Sequence, residues 1–371
     1  MALVLSSDAR LVRDTAQQFF RDKAPVEALR KLRDGRDPVG YSRDLWREMA
    51  ELGWAGFVVP EAYGGSDFGM VGLGLVLEQA GHTLAATPLL STALIGASAL
   101  VLGGSAAQRE AHLPALVEGR LIVALALEEG PHHAPHRIAL KAERTPAGYR
   151  LSGEKRFVLD GHVADLLIVA ARTADARVVL LLVPADAAGV TRTRTLMVDS
   201  RNAANIRFDH VEIADEAELS GGVDLLDAVL DRARAGLAAE MLGSSTEAFE
   251  RTVQYLKERK QFGVLIGTFQ ALKHRAAAMF CELELTRSAV LAALSAFDDG
   301  SNEAAALASL AKAKASDTFF LVSNEGVQMH GGIGMTDEHE IGFFLKRARV
   351  AQASFGDASY QRDRYAALSG F

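Results

Sequence analysis

"YLKERKQFGVLIGTFQALKHRAAAM" runs from Tyr255 to Met279, within a chain half whose composition is helix-forming throughout. Just upstream, the segment from Asp224 to Phe262 is rich in Ala, Leu, Glu and Arg and free of proline, which predicts one long helix. Helix-forming composition begins near residue 222 and persists to the end. Before it, from about 121 to 216, the pattern changes to short β-rich runs: "RLIVALALEE", "YRLSGEKRFVL", "DLLIVAART", "ARVVLLLVPA" and "ANIRFDHVEIA". Turn residues separate them at the spacing of an antiparallel barrel or sandwich. Earlier still, "DARLVRDTAQQFFRDKA" and "YSRDLWREMAELGW" repeat apolar residues at three and four, as helices do. Between helices of this region lies "GFVVPEAYGGSDFG", predicted as a turn with positive backbone angles at Gly64 and Gly65. The order predicts an α+β, mainly α chain: a helical domain over 1–120, a β domain over 121–216 and a helical unit over 217–371.

The 371 residues exceed what one core usually organises, and 49% hydrophobic content supplies ample material for burial. Forty basic against 47 acidic side chains leave a net charge of −7, so nothing general draws the chain to nucleic acid or an anionic membrane. One cysteine, Cys281, excludes an internal disulfide and predicts a reducing, cytoplasmic setting. It lies in "AAAMFCELEL", read as an apolar core helix. The start lacks the pattern of an export signal, and apolar runs such as "VVLLLVPA" fall short of a membrane span.

Two stretches are specific: the opening one, with R-x-Q-F-G at 259–263, and "GVQMHGGIGMTDEHEIGFFLKRARV" at 326–350, with Q-x-H-G-G-x-G. Together with "GWAGFVVPEAYGG" and "LSGEKRFVLDGHVADLLIVAART", they make the chain resemble the acyl-CoA dehydrogenase family over nearly its whole length. The resemblance implies a helical N-terminal domain, a central β-barrel-like domain and a C-terminal four-helix bundle. It also implies FAD at a subunit interface and a tetramer, homomeric or heteromeric, that passes electrons to an electron-transfer flavoprotein. Arg259 and Gln270 match positions that reach the FAD of a neighbouring subunit, where a guanidinium suits pyrophosphate charge. Phe262 matches an aromatic near the adenine. Gln328, Gly331 and Gly332 match the segment that meets the adenosine half through closely approaching backbone. Asp231 and Arg234 match the D-x-x-R element that grips the CoA portion; surface charges on a helix are the competing reading.

The flavin-facing loops depart from the family pattern. "LEEGPHHA" at 127–134 replaces T-E-P-x-x-G-S-D, so Leu127 and His133 stand where hydroxyls usually meet the cofactor. Phe157 stands for the usual tryptophan and Leu159 for a threonine near flavin N5. His132, His133 and His136 cluster with no carboxylate or cysteine spaced as a partner, so no metal is expected there.

The second departure is at "RVAQASFGDASYQRDRY", 349–365. The position of the family's catalytic glutamate falls on Phe355, ahead of a retained Gly356, and the alternative position used by a smaller branch falls on Ala233. Proton abstraction next to a thioester needs a positioned base. Two carboxylates are candidates. Glu240 shares a helix face with Ala233 and the predicted acyl-pocket residue Leu237, amid apolar neighbours that would raise its pKa. Asp357 lies two positions beyond the family site, where a plain helix-to-helix turn is the competing reading. Three functions stay open: FAD-dependent dehydrogenation of an acyl-CoA to the trans-2-enoyl-CoA with a relocated base, a half-site partner subunit in a heteromeric enzyme, or an acyl-CoA oxidase. Acyl-chain length is not legible.

Overall fold

The computed structural model describes residues 4–371, in an α–β–α order. The first helices are α1 (Ser7–Lys23), α2 (Val26–Asp34), α3 (Arg43–Glu51), α4 (Gly69–His82), α5 (Ala97–Gly103) and α6 (Ala106–Val117). A wholly buried π-helical stretch, Leu89–Gly96, leads into α5. Starts follow the capping chemistry: Ser6 and Ser42 accept from the amides of Ala9 and Leu45, and Ser105 with Gln108 forms a capping box.

Eight strands then form one sheet: β1 (Val123–Ala126), β2 (Lys141–Thr145), β3 (Gly148–Leu159), β4 (Leu166–Arg172), β5 (Val178–Pro184), β6 (Val190–Leu196), β7 (Asn202–Ala214) and β8 (Glu218–Leu219). The order is β6-β7-β3-β2-β4-β5-β8, with β1 added beside β4. Most pairs are antiparallel, but β1 runs parallel to β4, which a purely antiparallel reading does not anticipate. Strand β4 carries six consecutive buried residues, the signature of a strand covered on both faces. Strands β2, β6 and β8 escape the sequence reading because "KAERT" and "VTRTRTL" are polar and largely exposed, and β8 has two residues.

The remaining elements are α7 (Gly222–Glu258), the short strands β9 (Lys260–Gln261) and β10 (Val264–Leu265), and helices α8 (Gln270–Asp298), α9 (Ala304–His330), α10 (Ile341–Ala353) and α11 (Ala358–Leu368). Helix α7 spans 37 residues, roughly 55 Å at 1.5 Å per residue. It ends at Glu258 rather than Phe262, because β9 and β10 form a two-residue hairpin. Phe262 and Gly263 occupy its turn at φ +52° and +78°, the geometry of a type I′ turn. Cys281 is exposed on α8, contrary to the core placement expected for it. At 64–65 only Gly64 has a positive φ (+88°); Gly65 is required by crowding, since a Cβ there would lie 1.9 Å from the Val59 carbonyl oxygen.

The fold resolves into two compact units that do not follow chain order. One comprises the chain up to Lys31, Gly74–Ala85 and Arg234–Phe371; the other comprises Leu32–Leu73 and Ala86–Ala233. Within the first, α4 and α7 cross at glycines. A Cβ at Gly243 would meet the Glu78 carbonyl oxygen at 1.8 Å, and one at Gly81 would meet that of Glu240 at 2.1 Å. Ser244 Oγ, 2.9 Å from the Gly81 carbonyl, fastens the crossing. No described helix is long and apolar enough to cross a membrane.

Candidate active site

The turn between α10 and α11 is the focal point of the bundle unit. Phe355 and Gly356 adopt φ +57° and +96°, so both carbonyls leave the helical ladder and need other donors. The Phe355 oxygen accepts from Gln361 Nε2 at 2.6 Å and Arg234 Nε at 3.3 Å. The Gly356 oxygen accepts from Lys312 Nζ at 3.1 Å. Lys312 also donates to the Gln352 carbonyl and to Ser316 Oγ, each at 3.2 Å. Arg234 and Lys312 are fully buried. Burial, with the charges of Arg234 and Arg347 against that of Asp357, brings Lys312 down to about 7.

The two carboxylate candidates both have partners within this chain. Ala233, Leu237 and Glu240 are all buried, as one helix face requires, but Glu240 is not left among apolar neighbours. Its Oε1 accepts from Arg347 Nε at 2.9 Å, and the two side chains are 6% and 7% exposed. The carboxylate thus faces a guanidinium rather than apolar neighbours alone. The sequence reading missed Arg347 because it lies 107 residues away, within a motif read for other residues. Asp357 is the N-cap of α11: its side chain accepts from the Tyr360 amide at 2.9 Å. The plain turn accounts for it. Arg234 is not a surface charge either, because its guanidinium also lies 5.7 Å from the Tyr360 ring centre. Asp231 is buried one turn earlier on the same helix.

A second concavity in this unit, about 910 Å³, is lined by the R-x-Q-F-G hairpin and the Q-x-H-G-G segment. Arg259, Phe262, Gln328, Gly331 and Gly332 all face it. Gln270, exposed at the start of α8, is not among its lining residues. A Cβ at Gly331 or Gly332 would meet nothing, so these glycines leave open space over bare backbone. Arg275 pairs with Glu325, whereas Arg259 has no ion-pair partner among the described residues. The cavity wall holds a stack that sequence reasoning did not isolate: the His330 ring centre lies 4.4 Å from those of Tyr255 and His339. His330 Nδ1 meets the Gly326 carbonyl at 2.7 Å, while its buried Nε2 has no hydrogen-bond partner. Burial holds both imidazoles below the ordinary histidine range; at His330 it outweighs the Gly326 carbonyl with help from His339 and Arg251, and at His339 Arg251 adds to it.

In the other unit, the loop after β1 is organised by its own charges. Lys155, wholly buried, donates to the Leu127 carbonyl at 2.9 Å and to Glu129 Oε1 at 2.7 Å. Burial pushes Glu129 up, but Lys155 and the Leu140 and Ala139 amides outweigh it and hold the carboxyl below its usual value. His133 pairs with Glu128, and His136 Nε2 lies 2.9 Å from Asp227. Both histidines therefore have carboxylate partners that their spacing did not show, and each points to a different one. The β3–β7 ladder shifts register between Leu151 and Gly153 and again between Lys155 and Val158. Within this bulge Phe157 takes φ +51° and stands 42% exposed. Leu159 ends β3, half-buried.

Three family models match: acyl-CoA dehydrogenase N-terminal domain over residues 6–120, middle domain over 134–211 and C-terminal domain over 220–368. Acyl-CoA dehydrogenase IpdE2 of Mycolicibacterium smegmatis is 29% identical over 361 residues, covering 97% of this chain and 98% of that protein. Among solved structures, the Tcur3481-Tcur3483 steroid ACAD variant shares 33% identity at a TM-score of 0.89, covering 98% of this chain and 97% of the other. A chain of the ChsE4-ChsE5 complex from Mycobacterium tuberculosis superposes at a TM-score of 0.92 with 25% identity and full coverage of both. With all three domains matched in order along its length, this chain belongs to the acyl-CoA dehydrogenase family, whose cofactor is FAD.

Proposed function

We propose that this chain takes part in FAD-dependent α,β-dehydrogenation of an acyl-CoA thioester as one of two unlike subunits. In this reading it supplies the bundle half of a cofactor site, and a homologous chain supplies the base. The observation that carries the reading is the state of the two candidate carboxylates: Glu240 on α7 is held by Arg347, and Asp357 caps α11.

The residues fit FAD unequally. The hairpin cavity suits an adenosine diphosphate moiety, with an uncommitted Arg259 for phosphate, bare glycine backbone for close approach, and the orphaned His330 Nε2 as a polar contact. At the β1 loop Leu127 and His133 stand where the resemblance places hydroxyls, and the intervening carboxylates of Glu128 and Glu129 are occupied with His133 and Lys155. FAD, when bound, accepts hydride from the substrate β-carbon. Arg259, Gln328, Gly331 and Gly332 would hold its adenosine side in this chain. Asp231 and Arg234 would meet the CoA moiety, Leu237 the acyl chain, and Phe157 and Leu159 would face the flavin side. The similar Tcur3481-Tcur3483 steroid ACAD and ChsE4-ChsE5 complex each have two components, which supports an assembly of two unlike chains, and the first supports a bulky alicyclic thioester. An electron-transfer flavoprotein would then take the electrons, in the cytoplasm.

The test is expression alone and with a homologous second chain, followed by the visible spectrum and anaerobic bleaching by linear and steroid acyl-CoA thioesters. Flavin colour and bleaching are expected only in the mixed assembly. A chain that is yellow alone, is bleached by substrate, and loses bleaching but not stability in Glu240→Gln would instead establish a self-sufficient enzyme with Glu240 as base. The buried face shared by Ala233, Leu237 and Glu240 is the one feature that favours that second reading.

A further inference from the structure

We propose that His82, Glu247 and Glu250 form a binding site for one divalent transition cation of the zinc class, beside the α4–α7 crossing. His82 closes α4, and the two glutamates lie one turn apart on the same face of α7. One donor atom from each lies within 4.8 Å of the others, a cluster that two segments 165 residues apart bring together.

The histidine adds a buried nitrogen donor to the acidic pair. His82 is 9% exposed, and its Nδ1 is buried without a hydrogen-bond partner. That atom lies 3.5 Å from Glu247 Oε2, long for a hydrogen bond. Two zinc bonds of about 2.0–2.2 Å at a tetrahedral angle would set their donor atoms roughly 3.4 Å apart. Glu250 has no hydrogen bond or ion pair among the described residues, so its carboxylate is available as a third ligand.

The surroundings supply an outer shell. Glu247 Oε1 accepts from Arg251 Nε at 2.7 Å, which orients the carboxylate and leaves Oε2 turned to His82. Arg251 also pairs with Glu340 at 2.7 Å, so its charge is balanced and does not repel a cation outright. Neutral imidazole with two carboxylates cancels a divalent charge and leaves a fourth position for water. The glycine crossing holds the two ligand-bearing helices at fixed spacing, with Ser244 Oγ bonded to the residue before His82. A cation here would tie α4 to α7 and is independent of the proposed subunit role.

The experiment treats the FAD-loaded assembly with chelator, desalts it, and titrates zinc alone against a chromophoric indicator of micromolar affinity. The expected result is one equivalent per chain at micromolar or tighter affinity, weakened about tenfold or more in both His82→Ala and Glu250→Gln. Zinc should raise the thermal midpoint of the wild type and not of Glu250→Gln. Glu250 is exposed, so that variant tests the ligand without endangering the fold. Absence of saturable binding, or equal binding by Glu250→Gln and wild type, would overturn the site.

Discussion

Replacing Arg347 with methionine separates a structural from a catalytic role for Glu240. The substitution keeps most of the side-chain volume and leaves Glu240 buried with its principal counter-charge removed. Breaking a buried pair from one side costs about 3–5 kcal/mol, because the remaining charge stays desolvated. At about 2–4 °C per kcal/mol for a domain of this size, the thermal midpoint should fall by roughly 10 °C. Changing both partners to methionine removes the stranded charge, so the double variant should recover to within about 1 kcal/mol of wild type. Urea unfolding of the FAD-containing protein, run as a double-mutant cycle, measures the coupling. Each single change should cost several times what the double costs. If Arg347→Met costs less than about 1 kcal/mol, or the singles sum to the double, the pair is not a coupled buried unit and its claim against Glu240 as a base fails.

Lys312 gives a signed pH prediction. Its folded value of about 7 lies below the 10.5 of a free lysine, so the unfolded chain holds the proton over a range where the folded one has lost it. Stability is therefore full above the unfolded value and declines as pH falls toward 7, by at most about 1.4 kcal/mol per pH unit. Lys312→Met should flatten that slope in urea midpoints taken between about pH 7 and about pH 9; an unchanged slope counts against the assignment. Gly243→Ala forces a methyl to within 1.8 Å of the Glu78 carbonyl and should destabilise by about 1–3 kcal/mol or more, read by the same unfolding assay. A neutral result would mean that the α4–α7 crossing opens without cost. Phe355→Glu places a carboxylate on a turn already clamped by Arg234, Lys312 and Gln361. In an FAD-containing assembly whose companion chain has had its own base replaced, it should raise substrate bleaching about a hundredfold, the usual scale of a general base. No gain would separate that position from the chemistry.

The α–β–α order was legible because helical and strand periodicities are local properties of the chain. The buried runs of β4 and β5 announced themselves by composition, whereas β6 did not, since an edge strand with "VTRTRTL" has no apolar face to show. The hairpin at Phe262-Gly263 was legible as a motif but not as a shape, because only the conformation shows two consecutive positive φ angles. The candidate site was harder. Glu240 was found by its helix face, yet what governs its chemistry is Arg347 on a different helix. Asp357 is the converse case: an N-cap is a local device, and the Gly-Asp pair before a helix was its visible sign. Pairings such as Lys155 with Glu129 or His82 with Glu247 join distant segments, and a single sequence carries no record of them.

Phe262 stands 89% exposed at the tip of a turn whose two central residues both have positive φ, its ring edge-on to Phe269 at 6.1 Å. Water is a poor resting place for such a ring. If the chain pairs as proposed, a newly made copy carries this apolar ring uncovered until it meets its companion, and chaperones and proteases recognise surfaces of that kind. Under the proposed pairing, production of the two chains in step follows from this exposed ring, and surplus orphan subunit should be cleared rather than stored.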